Sequence, residues 1–361
     1  MIDVLVVGFG IIGSWIAYLA AKQGMVVAVC EKGQNPGDGI SGRNSGVLHS
    51  GIYYPQDSEK VKYCMRGYQL GLEFFQECNV PHRISGKLIT TGKARDEKDR
   101  LQRHETLHKL LENGKRNGVA GLEIVEHPGR EYSGVLGDLA IHVPSTGIVD
   151  VPEYLKTLWH LGYEYDVITL KSRKFTMQEG QPKLVSTRGE VEEIEAEYIV
   201  NAGGLYGDEV AREFGLVDYE IRANKGEYYR IKKPLPYQKL IYPIPSPTST
   251  ALGVHYTFNI AGEAYAGPNS NWAQSKEDYH IQTPRDVYYS SLCNILDCYQ
   301  EDDLEEGYAG LRPRLFYRGE AWKDFVIEEY PQKVIHLLGI ESPGLTSSPA
   351  IAEEVVARIV A

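Results

Sequence analysis

The chain has 361 residues, 42% hydrophobic and 24% charged, the balance of a globular protein rather than a disordered one. That length suggests about two domains, and a formal net charge of −11 argues against the basic surface that nucleic acid or an anionic membrane would need. Cys30, Cys64, Cys78, Cys293 and Cys298 are scattered without a CxxC pair, which argues against a disulfide framework, a metal site or a dithiol redox motif.

The N-terminus runs straight into DVLVV (Asp3–Val7), a run suited to a strand buried on both faces. It carries no basic leader, so no signal peptide is expected. GFGIIG follows, with Gly8, Gly10 and Gly13 in GxGxxG spacing, and the apolar pattern predicts a helix over Ile11–Lys22 that stops at Gly24. A second strand, VVAVC, ends on Glu31 and Lys32. In this order the pieces form a dinucleotide fingerprint. Gly8 permits the turn, Gly10 admits a pyrophosphate, and Gly13 lets the helix pack on the sheet. Ile11 and Ile12 open the helix whose free N–H groups face the phosphates, and Glu31 can accept from ribose hydroxyls. The chain then enters GDGISGRNSGVLHSGIYY (Gly37–Tyr54), which builds no core and is costly to order without a ligand. The small residues Ser41, Gly42, Ser45 and Gly46 in this loop suit close backbone approach to a flat ring, which points to FAD, and Arg43, Asn44 and Val47 beside them are further candidate cofactor contacts.

Further along, Arg95–Gly118 reads as a charged helix with a solvated face. Pro152–Gly162 is amphipathic, with Leu155, Leu158 and Trp159 on one side, and suits a crossover helix. Tyr198–Val200 ends a strand before NAGG, which brings Ala202, Gly203 and Gly204 to the carboxyl edge of a sheet. YYRIKK and VHYTFNI alternate as strands do. Lys333–Gly339 is a strand, followed by SPGLTSS. Ser348 as cap and Pro349 as first residue predict a helix from Pro349 to about Val360. Gly344, Leu345, Thr346 and Ser347 would lead into its N-terminus, a natural acceptor for negative charge. No run of about 20 apolar residues spans a membrane.

These motifs, with PSTGIVD, KGEYY, YPIP, LGVHYT, AGPNS, AGLRPRL and SPGLTSSPAIAE in order from Gly8 to Glu353, resemble the FAD-dependent oxidoreductases of the D-amino-acid oxidase and glycerol-3-phosphate dehydrogenase superfamily. They are most similar to its L-2-hydroxyglutarate dehydrogenases and oxidases. The resemblance implies an α/β fold in which a Rossmann-type FAD-binding domain, residues 1–81, 151–220 and 319–361, is interleaved with a substrate domain. That second domain, residues 82–150 and 221–318, would carry a mixed or antiparallel sheet. It implies hydride transfer from a small anionic 2-hydroxy acid to flavin N5, giving the 2-keto acid. Electrons would pass to a quinone, a carrier protein or oxygen. A cytoplasmic location is expected, with peripheral membrane docking left open.

By that resemblance His49 lies at the flavin face as candidate base, and also as a candidate for covalent flavin attachment. His255 is the alternative base or a substrate contact. Arg312, after Gly310 in the GLRP segment, would pair with the substrate carboxylate, for which a planar guanidinium fork is suited. Lys225 and Arg314 are candidates for a second anionic group, and Tyr228, Tyr242 and Tyr256 for pocket hydroxyls. Close hydroxyglutarate enzymes can differ from Pro313 onward, SPGLTSSPAI and NSGVLHSG also resemble glycerophosphate oxidases, and GLRP resembles amino-acid oxidases, which keeps sn-glycerol 3-phosphate and amino acids as alternative substrates. A catalytically lapsed FAD-binding subunit is the alternative of another class.

Overall fold

A computed structural model of the chain describes residues 1–245 and 252–361. Its first sheet has six strands in the order Val326–Tyr330, Val334–Leu338, Ala196–Asn201, Ile2–Val7, Val27–Glu31, Ile168–Lys171. All neighbours are parallel except the first pair. The alternation of the central strands shows why the run reads as wholly apolar. Val4, Val6, Val27 and Val29 pack on one face, and Leu5, Val7, Ala28 and Cys30 on the other. The first face is covered by the helices Ile11–Lys22, Val151–Glu164 and Gly344–Val360, with Glu59–Glu77 stacked on the last. The other is covered by a three-stranded meander over residues 173–193, which contributes Phe175 and Leu184.

The second sheet is larger and mixed. Its spine is the antiparallel pair Tyr219–Ile231 and Leu304–Tyr317, and among the described residues its one parallel contact joins Leu240–Pro243 to Lys87–Thr90. A two-residue turn at Arg318 and Gly319, with φ of 51° and 83°, extends the sheet through Glu320–Trp322. The chain therefore leaves this sheet a few residues beyond the expected boundary at 318.

Two elements differ from the sequence expectations. The charged helix, Glu97–Arg116, is not merely solvated: Leu107, Leu110 and Leu111 are buried against the second sheet. Asn113 and Asn117, at its C-terminal end, donate to the carbonyls of Gly51, Ile52 and Tyr54, so the helix fixes the loop after His49. The C-terminal helix begins at Gly344, not Pro349. Pro349 cannot supply the N–H that Leu345 O would receive, and Ser348 Oγ donates to that carbonyl instead at 2.8 Å.

Candidate active site

One cavity of about 1820 Å³ runs from Glu31 and Lys32 to Arg312 and Arg314 and is walled by both sheets. That exceeds the space a small substrate needs, and its length suits a dinucleotide with a substrate beyond it. At one end the turn Gly8–Gly10 leaves the central strand. Gly8 has φ +107°, and a Cβ there would lie 2.5 Å from Ala202 O, so the two glycine turns, from Gly8 and at Ala202–Gly204, close on each other only without a side chain. Ile11 and Ile12 line the cavity at the helix N-terminus, and the first turn carries no acidic residue to repel a phosphate. Ser41 Oγ accepts from Ile11 N at 2.9 Å. Glu31 braces the same turn, accepting from Phe9 N and Gly33 N at 2.8 and 2.7 Å. Lys32 is tied to Glu277.

In the middle, Arg43, Asn44, Ser45 and Val47 line one side, Gly344 and Leu345 another, and Gly310 the roof. Asn44 acts on its own loop, its side chain bonding to Ser41 O and Gly46 N. Gly13, Gly46, Thr346 and Ser347 do not line the cavity. Gly13 sits under the helix against the Gly8 carbonyl, and Gly46 against Val149 O. Thr346 and Ser347 lie on the buried side of their helix. Thr346 Oγ1 receives His49 N at 3.0 Å, and Ser347 packs over Gly67. These four shape the cavity from behind.

At the far end His49 Nε2 lies 3.1 Å from Ser342 Oγ, while its Nδ1 is buried and without a hydrogen-bond partner. Burial, and then the charge of Lys87, lowers its pKa to about 3. His255 Nδ1 is 2.8 Å from Gly253 O, so that nitrogen carries the proton and Nε2 is left as acceptor. The ring is stacked on Tyr242 with centroids 3.6 Å apart. Burial likewise lowers its pKa to about 3, against the opposing pull of Gly253 O. Both imidazoles are therefore neutral, able to accept a proton or a hydrogen bond. Arg312 Nη1 donates to Asn224 Oδ1 at 3.0 Å, and both its terminal nitrogens reach Asn269 O. Among the described residues no carboxylate pairs with it. Tyr228, stacked on Tyr308, completes this wall.

The structure removes two expected substrate contacts. Lys225 is buried, and its Nζ bonds to Asp278 Oδ2 at 3.0 Å and His280 O at 2.7 Å, with Glu227 at 3.6 Å. Its charge is consumed away from the cavity. Tyr256 follows His255 on one strand and so points to the opposite face, where its hydroxyl accepts from Leu235 N. Arg314 does line the cavity, joined to Glu341 at 2.7 Å. The sequence reading also passed over several residues. Lys60, Tyr53, Tyr54, Glu341 and Ser342 line the far end. Behind it, Lys87 is fully buried, its Nζ unpartnered and held 4.5 and 4.8 Å from the Tyr53 and Tyr242 ring centroids. Nothing local in GKLIT distinguishes that lysine from an ordinary surface one.

A parallel sheet with a glycine turn at its carboxyl edge, roofed by a second sheet bearing a half-buried arginine and the neutral His255, with the neutral His49 facing them from the cofactor loop, defines a dinucleotide-dependent oxidoreductase. The comparisons fix the family: the chain belongs to the FAD-dependent oxidoreductases, whose family profile matches residues 3–358, and FAD is its cofactor. The phosphate turn and a cavity running on past it fit that cofactor. The chain is 31% identical to the L-2-hydroxyglutarate dehydrogenase of Indibacter alkaliphilus, over 97% of this chain and 96% of that protein. It is 29% identical to the mitochondrial L-2-hydroxyglutarate dehydrogenase of Arabidopsis thaliana, over 98% and 82%. In fold it is similar to dithionite-reduced, FAD-bound L-α-glycerophosphate oxidase from Mycoplasma pneumoniae (TM-score 0.87, 22% identity, covering 99% and 94%). Glycine oxidase from Geobacillus kaustophilus is also similar (TM-score 0.78, 17% identity, 99% and 95%). Among the described residues no helix is long and apolar enough to cross a membrane.

Proposed function

We propose that the protein oxidises a small 2-hydroxy acid of the L-2-hydroxyglutarate type to its 2-keto acid. The observation that carries this reading is the far end of the cavity, where Arg312, without a carboxylate partner among the described residues, shares the wall with two neutral histidines. The near-full-length likeness to L-2-hydroxyglutarate dehydrogenases supports the same substrate class. Bound FAD supplies the two-electron acceptor for the substrate's hydride. Arg312 anchors the α-carboxylate through its fork, with Asn224 and Asn269 O fixing the guanidinium. His49 takes the hydroxyl proton, its ring set by Ser342, and His255 Nε2 accepts a hydrogen bond from the substrate. The cofactor is held by the Gly8–Ile12 turn with Ser41, by Glu31, by the residue 43–47 loop, by Ala202–Gly204 and by Gly344–Leu345. We assign residues 1–81, 151–220 and 319–361 to this cofactor unit, apart from the edge strand Glu320–Trp322, which pairs with the second sheet, and the remainder to the substrate unit. The five cysteines, all free, suit a reducing compartment such as the cytoplasm.

The test is anaerobic mixing of the FAD-loaded protein with L-2-hydroxyglutarate, sn-glycerol 3-phosphate or amino acids. Loss of the oxidised flavin colour with L-2-hydroxyglutarate is the expected result. Bleaching by glycerol 3-phosphate or an amino acid alone would overturn the assignment.

A further inference from the structure

The strand Leu304–Tyr317 turns Gly310, Arg312 and Arg314 toward the cavity, as residues two apart must share a face. Arg312 is assigned above to one carboxylate. Arg314 lies at the next position on that face and is a neighbour of the same guanidinium: its charge and that of Glu341 both act on Arg312. The residue spacing along a strand places two such positions roughly 6.6 Å apart. Four carbon–carbon bonds of about 1.5 Å separate the carboxyl carbons of a five-carbon dicarboxylate by roughly 5 Å when extended. The two lengths are comparable.

The charges at the second position do not balance. Glu341 Oε1 receives both Lys60 Nζ, at 2.8 Å, and Arg314 Nη1, at 2.7 Å. The side chains of Lys60 and Glu341 are about nine-tenths buried, and that of Arg314 is one-quarter exposed. One carboxylate thus faces two cations. The nearby Asp324 spends both oxygens on the N–H groups of Glu59 and Lys60, where it offsets the positive end of that helix. Among the described residues Nε and Nη2 of Arg314 have no acceptor. An uncompensated buried cation is costly, and a ligand carboxylate would remove that cost.

We propose that Arg314 and Lys60, held together by Glu341, form a second anion subsite that takes the far carboxylate of a dicarboxylic 2-hydroxy acid. The proposal rests on the functional reading above and names the group that separates this substrate from a monocarboxylate. A purely structural clamp, tying the helix Glu59–Glu77 to the turn at Glu341, would instead affect all substrates alike.

The experiment measures anaerobic flavin reduction in the FAD-loaded protein with L-2-hydroxyglutarate, with L-2-hydroxybutyrate, which lacks the far carboxylate, and with sn-glycerol 3-phosphate. It compares the parent with Arg314→Gln, Arg314→Lys and Lys60→Met. In Arg314→Gln the specificity ratio of hydroxyglutarate over hydroxybutyrate should fall by roughly tenfold or more, through the concentration dependence rather than the limiting rate. Arg314→Lys should recover part of it, and Lys60→Met should lower it in the same sense while Arg314 stays paired to Glu341. A ratio unchanged within about twofold in all three variants would overturn the subsite while leaving the 2-hydroxy acid reading intact. Reduction of the parent by glycerol 3-phosphate and by neither hydroxy acid would overturn that reading and the carboxylate assignment with it.

Discussion

His49 Nε2 lies 3.1 Å from Ser342 Oγ across 293 positions of sequence. The contact couples the loop that follows the dinucleotide turn to the turn that begins the C-terminal helix, and Thr346, in the first turn of that helix, fixes the His49 backbone from the other side. The proposed base is therefore held at ring and main chain by the far end of the chain. His49→Ala should lower the rate of flavin reduction by about 10²–10⁴, the usual contribution of a general base, while FAD content is retained. Ser342→Ala, which only frees the ring, should cost much less. Stopped-flow reduction and flavin absorbance read both, and unchanged reduction in His49→Ala would remove it as base.

The pH dependence follows from the same environment. Burial, reinforced by Lys87 and His255, holds His49 near pKa 3. A depressed value keeps the imidazole neutral as pH falls, so the proton-accepting form persists well below the ordinary range. The limiting rate of reduction should stay flat from pH 8 down to about 5 and decline only as pH approaches 3. A limb centred near 6.5 would mean that the base titrates as an exposed histidine does.

Lys87 offers a stability test with a definite sign. Burial lowers its pKa from 10.5 to about 7, so between those values the unfolded chain binds a proton that the folded chain does not. Stability attributable to this residue therefore rises with pH across that window, and the full penalty applies below about pH 7. Lys87→Met removes the amine. Urea unfolding of the FAD-loaded proteins should show the variant more stable than the parent at pH 6, by a few kcal/mol at about 1.4 per pKa unit, with the gap narrowing by pH 9. A gap independent of pH would show that Lys87 titrates in the folded state as it does in the unfolded chain.

Gly310 marks where the roof meets the cofactor loop. A Cβ at this position would run into the carbonyl oxygen of Arg43, and backbone cannot yield as a flexible side-chain tip can. Gly310→Ala should weaken FAD retention and lower the thermal midpoint, with reduction by substrate impaired at the same time. Retained FAD and an unchanged midpoint would show that the strand can move away from the loop.

What was legible in the sequence was local, and what was not was assembled at a distance. The strand–turn–helix–strand unit to Glu31 is written in consecutive residues, and its predicted helix, Ile11–Lys22, matches the structure. Lys225 looked available because its partner Asp278 lies 53 positions away. His255 and Tyr256 cannot both be substrate contacts, because the two-residue period of a strand lets only one of them face the cavity. Lys60 sits early in an ordinary helix and acquires meaning only from Glu341, 281 positions later. Arg312 was legible because its GLRP setting resembles a known pattern, but its partners Asn224 and Asn269 were not.

The C-terminal helix shows how one residue compensates another, and this too can be tested. A helix reaching back from Pro349 to Gly344 needs a donor for Leu345 O, which Pro349 cannot provide. Ser348 Oγ provides it at 2.8 Å from within the buried side of the helix. Ser348→Ala should therefore leave a partly buried carbonyl unsatisfied and cost about 1 kcal/mol or more. Pro349→Ala restores the main-chain N–H, so in that background Ser348→Ala should cost far less. The double-mutant cycle, measured by urea unfolding, should give a coupling of about 1 kcal/mol or more. If the two changes were additive, Ser348 would not be substituting for the proline's missing donor. The early start of this helix would then owe more to packing of its first turn, Gly344–Ser347, against the helix Glu59–Glu77, with which the C-terminal helix makes extensive contact.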